Sequence, residues 1–179
     1  KVLFIDLLTK DYRIFSKGHR NIQGLYATKD LILATEHGPR GGDEINKILF
    51  NKNYGWPIAS YGEKYSVNNS KKSSYTKNHY SQGFEEPLFA FVPAIGISEI
   101  IQLPNTFSEI FDNNFIISSL YGYNIFRIKF DKDYTRVIFS EKIFIGGRIR
   151  DIKFNNQLDA MLLALEKNGE IGIITNADK

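Results

Sequence analysis

Three times along the chain a short apolar run, a brief loop and a second apolar run follow one another. The first copy is residues 31–36 (LILATE), a Gly-rich loop and residues 44–50 (EINKILF). The second is residues 115–120 (FIISSL) and 124–130 (NIFRIKF), and the third is residues 161–166 (MLLALE) and 170–175 (EIGIIT). Copies two and three start 161 − 115 = 46 residues apart, and copies one and two start 115 − 31 = 84 apart, twice 42. Strand pairs recurring every 40–50 residues are the signature of β-propeller blades. Residues 89–92 and 100–103 are the expected strands of an unmarked blade inside the longer gap. A β-sandwich with coincidental spacing is the competing architecture.

Residue choice supports strands. The chain has 24 Ile, 14 Phe and 10 Tyr against 8 Ala and 14 Leu. β-branched and aromatic side chains suit a pleated surface, whereas Ala and Leu lead the helix scale. Residues 158–166 have good helix propensity, but they fit the repeat and read as a strand. At about 45 residues per blade, 179 residues make about four blades. The expectation is therefore an all-β, partial β-propeller in one domain over residues 1–179. Residues 51–86 interrupt the rhythm with a polar, Tyr-studded segment too long for an ordinary turn, expected to be a functional or lid-like loop. Its Lys71 and Lys72 read as a solvated tip.

Composition removes several classes of function. A net charge of +3 is too mild to argue for nucleic acid. With no cysteine there are no disulfides, thiolate nucleophiles or Cys-zinc sites. No apolar run reaches the roughly 18 residues of a membrane span. The chain starts at Lys1 and its one methionine is Met161, so it reads as a processed product or a fragment. No nucleophile elbow, P-loop, dinucleotide fingerprint or HExxH is present.

Three polar clusters remain. In residues 18–24 (GHRNIQG), His19, Arg20, Asn21 and Gln23 crowd between two expected strands and suit a pocket-lining loop, or a surface Arg paired with carboxylates. In residues 36–44 (EHGPRGGDE), glycines permit close backbone approach, and carbonyls with Asp43 and Glu44 offer hard oxygen ligands suited to Ca²⁺, the plain alternative being a β-hairpin loop with an incidental salt bridge. His19 and His37 lack a third partner at a zinc-like spacing. In residues 146–151 (GGRIRD), Arg148 and Arg150 are two apart on an extended segment, so both guanidinium groups face one side. Such a pair repels unless an anion lies between, and a carboxylate or phosphate ligand would fit. An exposed pair on an edge strand is the plain alternative.

The stretches GHRNIQGLY (18–26), ATEHGPRGGDEIN (34–46), KNYGWPIASYGEKY (52–65) and GGRIRD (146–151) are long and occur in one order. Together they closely resemble the soluble glucose/sorbosone dehydrogenase family, PQQ-dependent aldose sugar dehydrogenases on a six-bladed β-propeller. The likeness runs from about residue 1 to 175. The resemblance implies an oxidoreductase that oxidises a sugar at its anomeric carbon, with PQQ and Ca²⁺ as cofactors and an artificial or respiratory electron acceptor. It implies that Arg20, Asn21, Tyr65, Ser119, Leu120, Tyr121, Arg148 and Arg150 lie at the PQQ site. Gly38 and Pro39 match the turn whose carbonyls hold the cofactor's calcium. Glu44 and Tyr54 match a second, structural calcium site.

Two positions depart from the family pattern: Tyr121 stands where some members carry Lys, and Ala94 where relatives can have a hydroxyl. The family's general base is a His in a His-x-Gly-Gly-like setting, and none of His19, His37 and His79 has that setting. No catalytic residue is therefore assigned here. The chain is expected to be the C-terminal, cofactor-gripping part of a periplasmic or secreted enzyme, inactive alone, with the base and a signal peptide in a missing front end. A non-catalytic relative binding protein or glycan through residues 61–80 is the alternative reading. A calcium-dependent lactonase-like propeller ranks behind it.

Overall fold

The computed structural model describes residues 1–65, 74–167 and 169–177. It contains thirteen strands in four antiparallel sheets. A hairpin comes first, β1 (Val2–Ile5) with β2 (Tyr12–Ser16). The second sheet runs in chain order through β3 (Ile22–Ala27), β4 (Ile32–Glu36), β5 (Asp43–Lys47) and β6 (Phe89–Phe91). The third runs through β7 (Ile97–Gln102), β8 (Phe115–Ser119), β9 (Asn124–Phe130) and β10 (Val137–Phe144). The last has three strands, β11 (Ile149–Asn155), β12 (Ala160–Leu165) and β13 (Glu170–Thr175). These are propeller blades, two of them with four strands. The first strands of successive sheets, β3, β7 and β11, pack against one another.

All three sequence repeats coincide with paired strands, namely β4–β5, β8–β9 and β12–β13. The expected extra blade does not exist. Phe89–Phe91 is the fourth strand of the β3–β6 sheet, and Ile97–Gln102 opens the next one. The doubled spacing comes from the connection over residues 48–88, whose length mimicked a second period.

The strand pattern explains the packing. β8 is buried along its whole length because it is covered on both faces. Phe115 and Ile117 point into the cluster shared with Leu33, Ile45 and Phe91 of the preceding sheet. Ile116, one residue out of phase, joins Ile149, Ile152, Met161 and Leu163 of the following sheet. Alternate side chains take opposite faces, so an unbroken apolar run is what a blade between two blades requires. Each first strand has a register shift near its beginning, between Ile22 and Gly24, Ile97 and Ile100, and Ile149 and Asp151. Such bulges raise local twist and re-aim side chains at the sheet end.

Antiparallel pairing brings one set of connections to a common rim. Ile22 pairs with Glu36, Glu36 with Glu44, Asp43 with Phe91, Ile97 with Ser119, Phe144 with Asn124, and Leu165 with both Ile149 and Glu170. The turns before β3, β7 and β11 therefore share that end with the β4–β5, β8–β9 and β12–β13 turns.

The 48–88 connection leaves from the opposite end and climbs back to this rim. It is anchored by Tyr54 N–H to Lys17 O (2.9 Å), Trp56 N–H to Gly18 O (2.9 Å) and a reciprocal pair between Arg40 and Glu63. Gly42 has φ +69°, and a Cβ there would lie 2.3 Å from Gly62 N, so the loop docks only against glycine. The Lys71–Lys72 tip lies outside the described residues.

Phe115 has no exposed surface and meets Tyr26, Phe130 and Tyr134 edge-on, with ring centroids 5.1, 5.4 and 6.2 Å away. Phe115→Ala is expected to cost about 3–5 kcal/mol through lost burial and the cavity left behind. Urea unfolding measures this, and a loss under about 1 kcal/mol would contradict the packing described.

Candidate functional site at the blade rim

The rim is organised around Asp43, the first residue of β5. Its Oδ1 accepts the Gly38 N–H (3.1 Å), and its Oδ2 accepts the N–H groups of Ile95 and Ile97 (both 3.0 Å). One carboxylate thus ties the β4–β5 turn to the start of the next blade. Burial works to raise its pKa, but the neighbouring His37 ring and the Ile97 and Gly38 amides outweigh burial and hold it below the usual carboxylate range. In the sequence Asp43, like Glu44, is a carboxylate suited to Ca²⁺; in the fold its oxygens serve three backbone donors.

From Asp43 a hydrogen-bonded path crosses the blades. Tyr121 N–H donates to Ile95 O (2.9 Å), and Leu120 N–H to Gly96 O (2.8 Å). Arg148 donates from a terminal nitrogen to Leu120 O (3.2 Å). The sequence placed Arg148 and Arg150 on one side and required an anion between them. That anion is the Glu166 carboxylate, 3.2 Å from Arg148 Nε and 3.0 Å from a terminal nitrogen of Arg150. The hydrogen bond from Arg150, with the charge of both arginines, holds the Glu166 carboxyl below its ordinary range. Sequence reasoning missed Glu166, because only the β11–β12 pairing, Ile149 opposite Leu165, brings it to the arginines.

The other candidates divide into two groups. On the rim, Arg20 donates from its guanidinium to His37 O (3.0 Å) and from its backbone N–H to the Glu36 carboxylate (3.1 Å), and its guanidinium lies 5.4 Å over the Trp56 ring. Asn21 O accepts the His37 N–H (3.0 Å). Tyr65, on the docked loop, donates its hydroxyl to Pro39 O at 2.5 Å, so Tyr65 joins the Gly38–Pro39 turn. Tyr121 is largely exposed. Ser119 is turned inward, its hydroxyl donating to Asn124 O (2.8 Å) inside the β8–β9 hairpin.

The second group is buried beneath the loop. Glu44 lies opposite Glu36 across the β4–β5 pair. Burial, followed by the charge of Glu36, pushes its pKa up to about 8. Tyr54 is buried, stacks on His19 at 4.5 Å, and donates its hydroxyl to Lys47 O. His19 is held between Ser16 Oγ (2.8 Å) and Glu36 (2.9 Å), which makes it a satisfied interior histidine. His79 is enclosed with both ring nitrogens unpartnered, 3.9 Å from Glu44 and 3.5 Å from Glu86, and Asn46 Oδ1 is unpartnered as well. Among the described residues, no three His, Asp or Glu side chains converge as a metal-binding group. A cation beside Glu44 would therefore need amide or carbonyl oxygens too, and the vacant lone pairs of Asn46 Oδ1 suit a hard ion.

Asp43→Ala leaves three backbone amides without their acceptor, one of them, Ile97, fully buried and two part-buried. The expected loss is about 2–4 kcal/mol, with unsatisfied donors rather than lost contact area as the cause. Urea unfolding of Asp43→Ala beside Asp43→Asn checks this, and the Asn variant should retain part of the stability because it keeps one acceptor oxygen.

Comparison with known proteins places the chain in a family. The sequence profile of the Glucose / Sorbosone dehydrogenase family matches residues 4–174. Aldose sugar dehydrogenase YliI of Escherichia coli K12 is 31% identical over 173 residues, covering 88% of this chain and 42% of that protein. Quinoprotein glucose dehydrogenase B of Acinetobacter calcoaceticus is 50% identical over 50 residues, 27% of this chain and 10% of that one. Among solved structures, a glucose dehydrogenase superposes with a TM-score of 0.80 at 28% identity, covering 96% of this chain and 49% of its own. The chain thus spans less than half the length of these relatives. With four antiparallel propeller sheets, a glucose dehydrogenase backbone match and a family profile over nearly its whole length, the chain belongs to the glucose/sorbosone dehydrogenase family.

Proposed function

We propose that this chain is the cofactor-gripping part of a PQQ-dependent aldose sugar dehydrogenase, periplasmic or secreted, that oxidises a sugar at its anomeric carbon and passes electrons to an external acceptor. The observation that carries the reading is the arginine pair. Arg148, bonded to Leu120 O, and Arg150 share the Glu166 carboxylate on the rim that also presents Arg20, Asn21 and Tyr65. PQQ is a planar tricarboxylate, and guanidinium groups recognise carboxylates through paired N–H donors. Bound there, it supplies the quinone that accepts a hydride from the sugar. Arg20, Arg148 and Arg150 would hold its carboxylates, Asn21 and Tyr65 would flank it, and the 119–121 turn would border it. The Gly38 and Pro39 carbonyls would hold its calcium. Glu44, with the Tyr54 carbonyl, would hold the second calcium, where the crowding of Glu36, Glu44 and Glu86 favours a cation.

The chain's three histidines are not taken as the base that removes the anomeric proton. His19 is engaged with Ser16 and Glu36, His79 is enclosed, and His37 lacks the His-x-Gly-Gly-like setting of the family's base. The base is assigned to a part of the enzyme outside these 179 residues.

Titration of the chain with PQQ in Ca²⁺, followed by fluorescence quenching, should give saturable binding. Arg148→Ala and Arg150→Ala should each weaken it about 10- to 100-fold, the cost of about 1.5–3 kcal/mol for a charge-assisted hydrogen bond. Glucose with a dye acceptor should give no turnover, and turnover would overturn the placement of the base. Added Ca²⁺ should raise the melting temperature, chelation should reverse the rise, and Glu44→Gln should abolish it. A calcium response unchanged in that variant would remove Glu44 from the site.

A further inference from the structure

Glu166 has no part in the reading above, yet it is the best-connected side chain at the arginine pair. Its two carboxylate oxygens divide between the two guanidinium groups, Oε2 on Arg148 Nε and Oε1 on Arg150. Its backbone N–H donates to Arg148 O (2.9 Å), so the acidic residue and one arginine are also joined through the main chain. Arg148 is fixed from a third direction by Leu120 O of the neighbouring blade. A guanidinium carries five N–H donors. These contacts occupy Nε and one terminal donor on Arg148 and one terminal donor on Arg150, and the remaining terminal N–H groups can take a ligand oxygen.

We propose that Glu166 is a positioning residue for the Arg148–Arg150 pair, holding the two guanidinium groups together at the rim so that their remaining donors meet a ligand carboxylate as one unit. This rests on the cofactor reading given above. Two like charges brought this close repel, and without an anion between them the long side chains would separate and sample many rotamers. The shared carboxylate offsets that repulsion before any ligand arrives. It also lowers the pair's net charge from +2 to +1, which favours a carboxylate-bearing ligand without making the rim a general anion trap. The arrangement resembles the orienting partners behind metal ligands, whose removal typically weakens binding about 10- to 100-fold.

The test compares wild type with Glu166→Gln and Glu166→Asp. Two probes are titrated, PQQ with Ca²⁺ and benzene-1,3,5-tricarboxylate, and the Arg148 and Arg150 side chains are read by their Nε–H resonances in ¹⁵N spectra. A thermal melt confirms that each variant is folded. Glu166→Gln should weaken both probes about tenfold or more and shift the Arg148 Nε–H signal toward that of a solvated arginine. Glu166→Asp, which keeps the charge on a shorter arm, should recover part of the affinity. Unchanged affinity in Glu166→Gln overturns the proposal. Tighter binding overturns it too, showing that Glu166 competes with the ligand. If only the tricarboxylate binds, and does so in a Glu166-dependent way, the positioning role stands and the PQQ reading fails. If neither probe binds wild type, both fail.

Discussion

The buried carboxylate of Asp43 is the constraint on which the rim depends. Three amides from two blades converge on it. Sheet pairing fixes each blade internally but does not dictate how the loop ends of neighbouring blades meet. A charge-assisted acceptor at the junction does, because buried N–H groups left without a partner are costly and their directions are specific. With Ile95 and Gly96 held, their carbonyls receive Tyr121 and Leu120, and Leu120 in turn receives Arg148. The position of the arginine pair is therefore inherited from an interaction two blades away.

The two candidate groups differ in their electrostatics. On the rim, guanidinium groups and exposed aromatic rings face solvent and are partly neutralised by Glu166. Beneath the loop, the charges of Glu36 and Glu86 act on Glu44 alongside His19 and His79, and burial drives Glu44 toward its neutral form. The long connection over residues 48–88 serves both groups. Its first part brings Tyr54 against His19, its middle brings Tyr65 to the Pro39 carbonyl, and its last part carries His79 and Glu86 over Glu44.

Much of the fold was legible because propeller strands obey local rules. Period-2 patterning, turn residues and the roughly 45-residue spacing marked β4–β5, β8–β9 and β12–β13 in advance. The misplaced blade shows the limit, since a spacing of 84 residues cannot tell two periods from one period plus a long loop. Arg148 and Arg150 were legible as a same-face pair because extended backbone alternates side chains. Glu166 was not, since it lies 16 residues from Arg150 and meets it only through the β11–β12 pairing. The structural partners of Asp43 were hidden for a related reason. In a Gly-rich turn its carboxylate shows only its ligand chemistry, and folding brings the amides of residues 95 and 97 to it.

By itself, then, the amino-acid sequence determined the strands, their turns, the family resemblance and the residue types available to grip an anion, all of which follow from short-range backbone preference and hydrophobic periodicity. Tertiary structure alone decided which carboxylates became structural and which remained near the arginines. Those outcomes rest on contacts between segments 16 to 54 residues apart, and they turn on direction and burial, which no local pattern encodes.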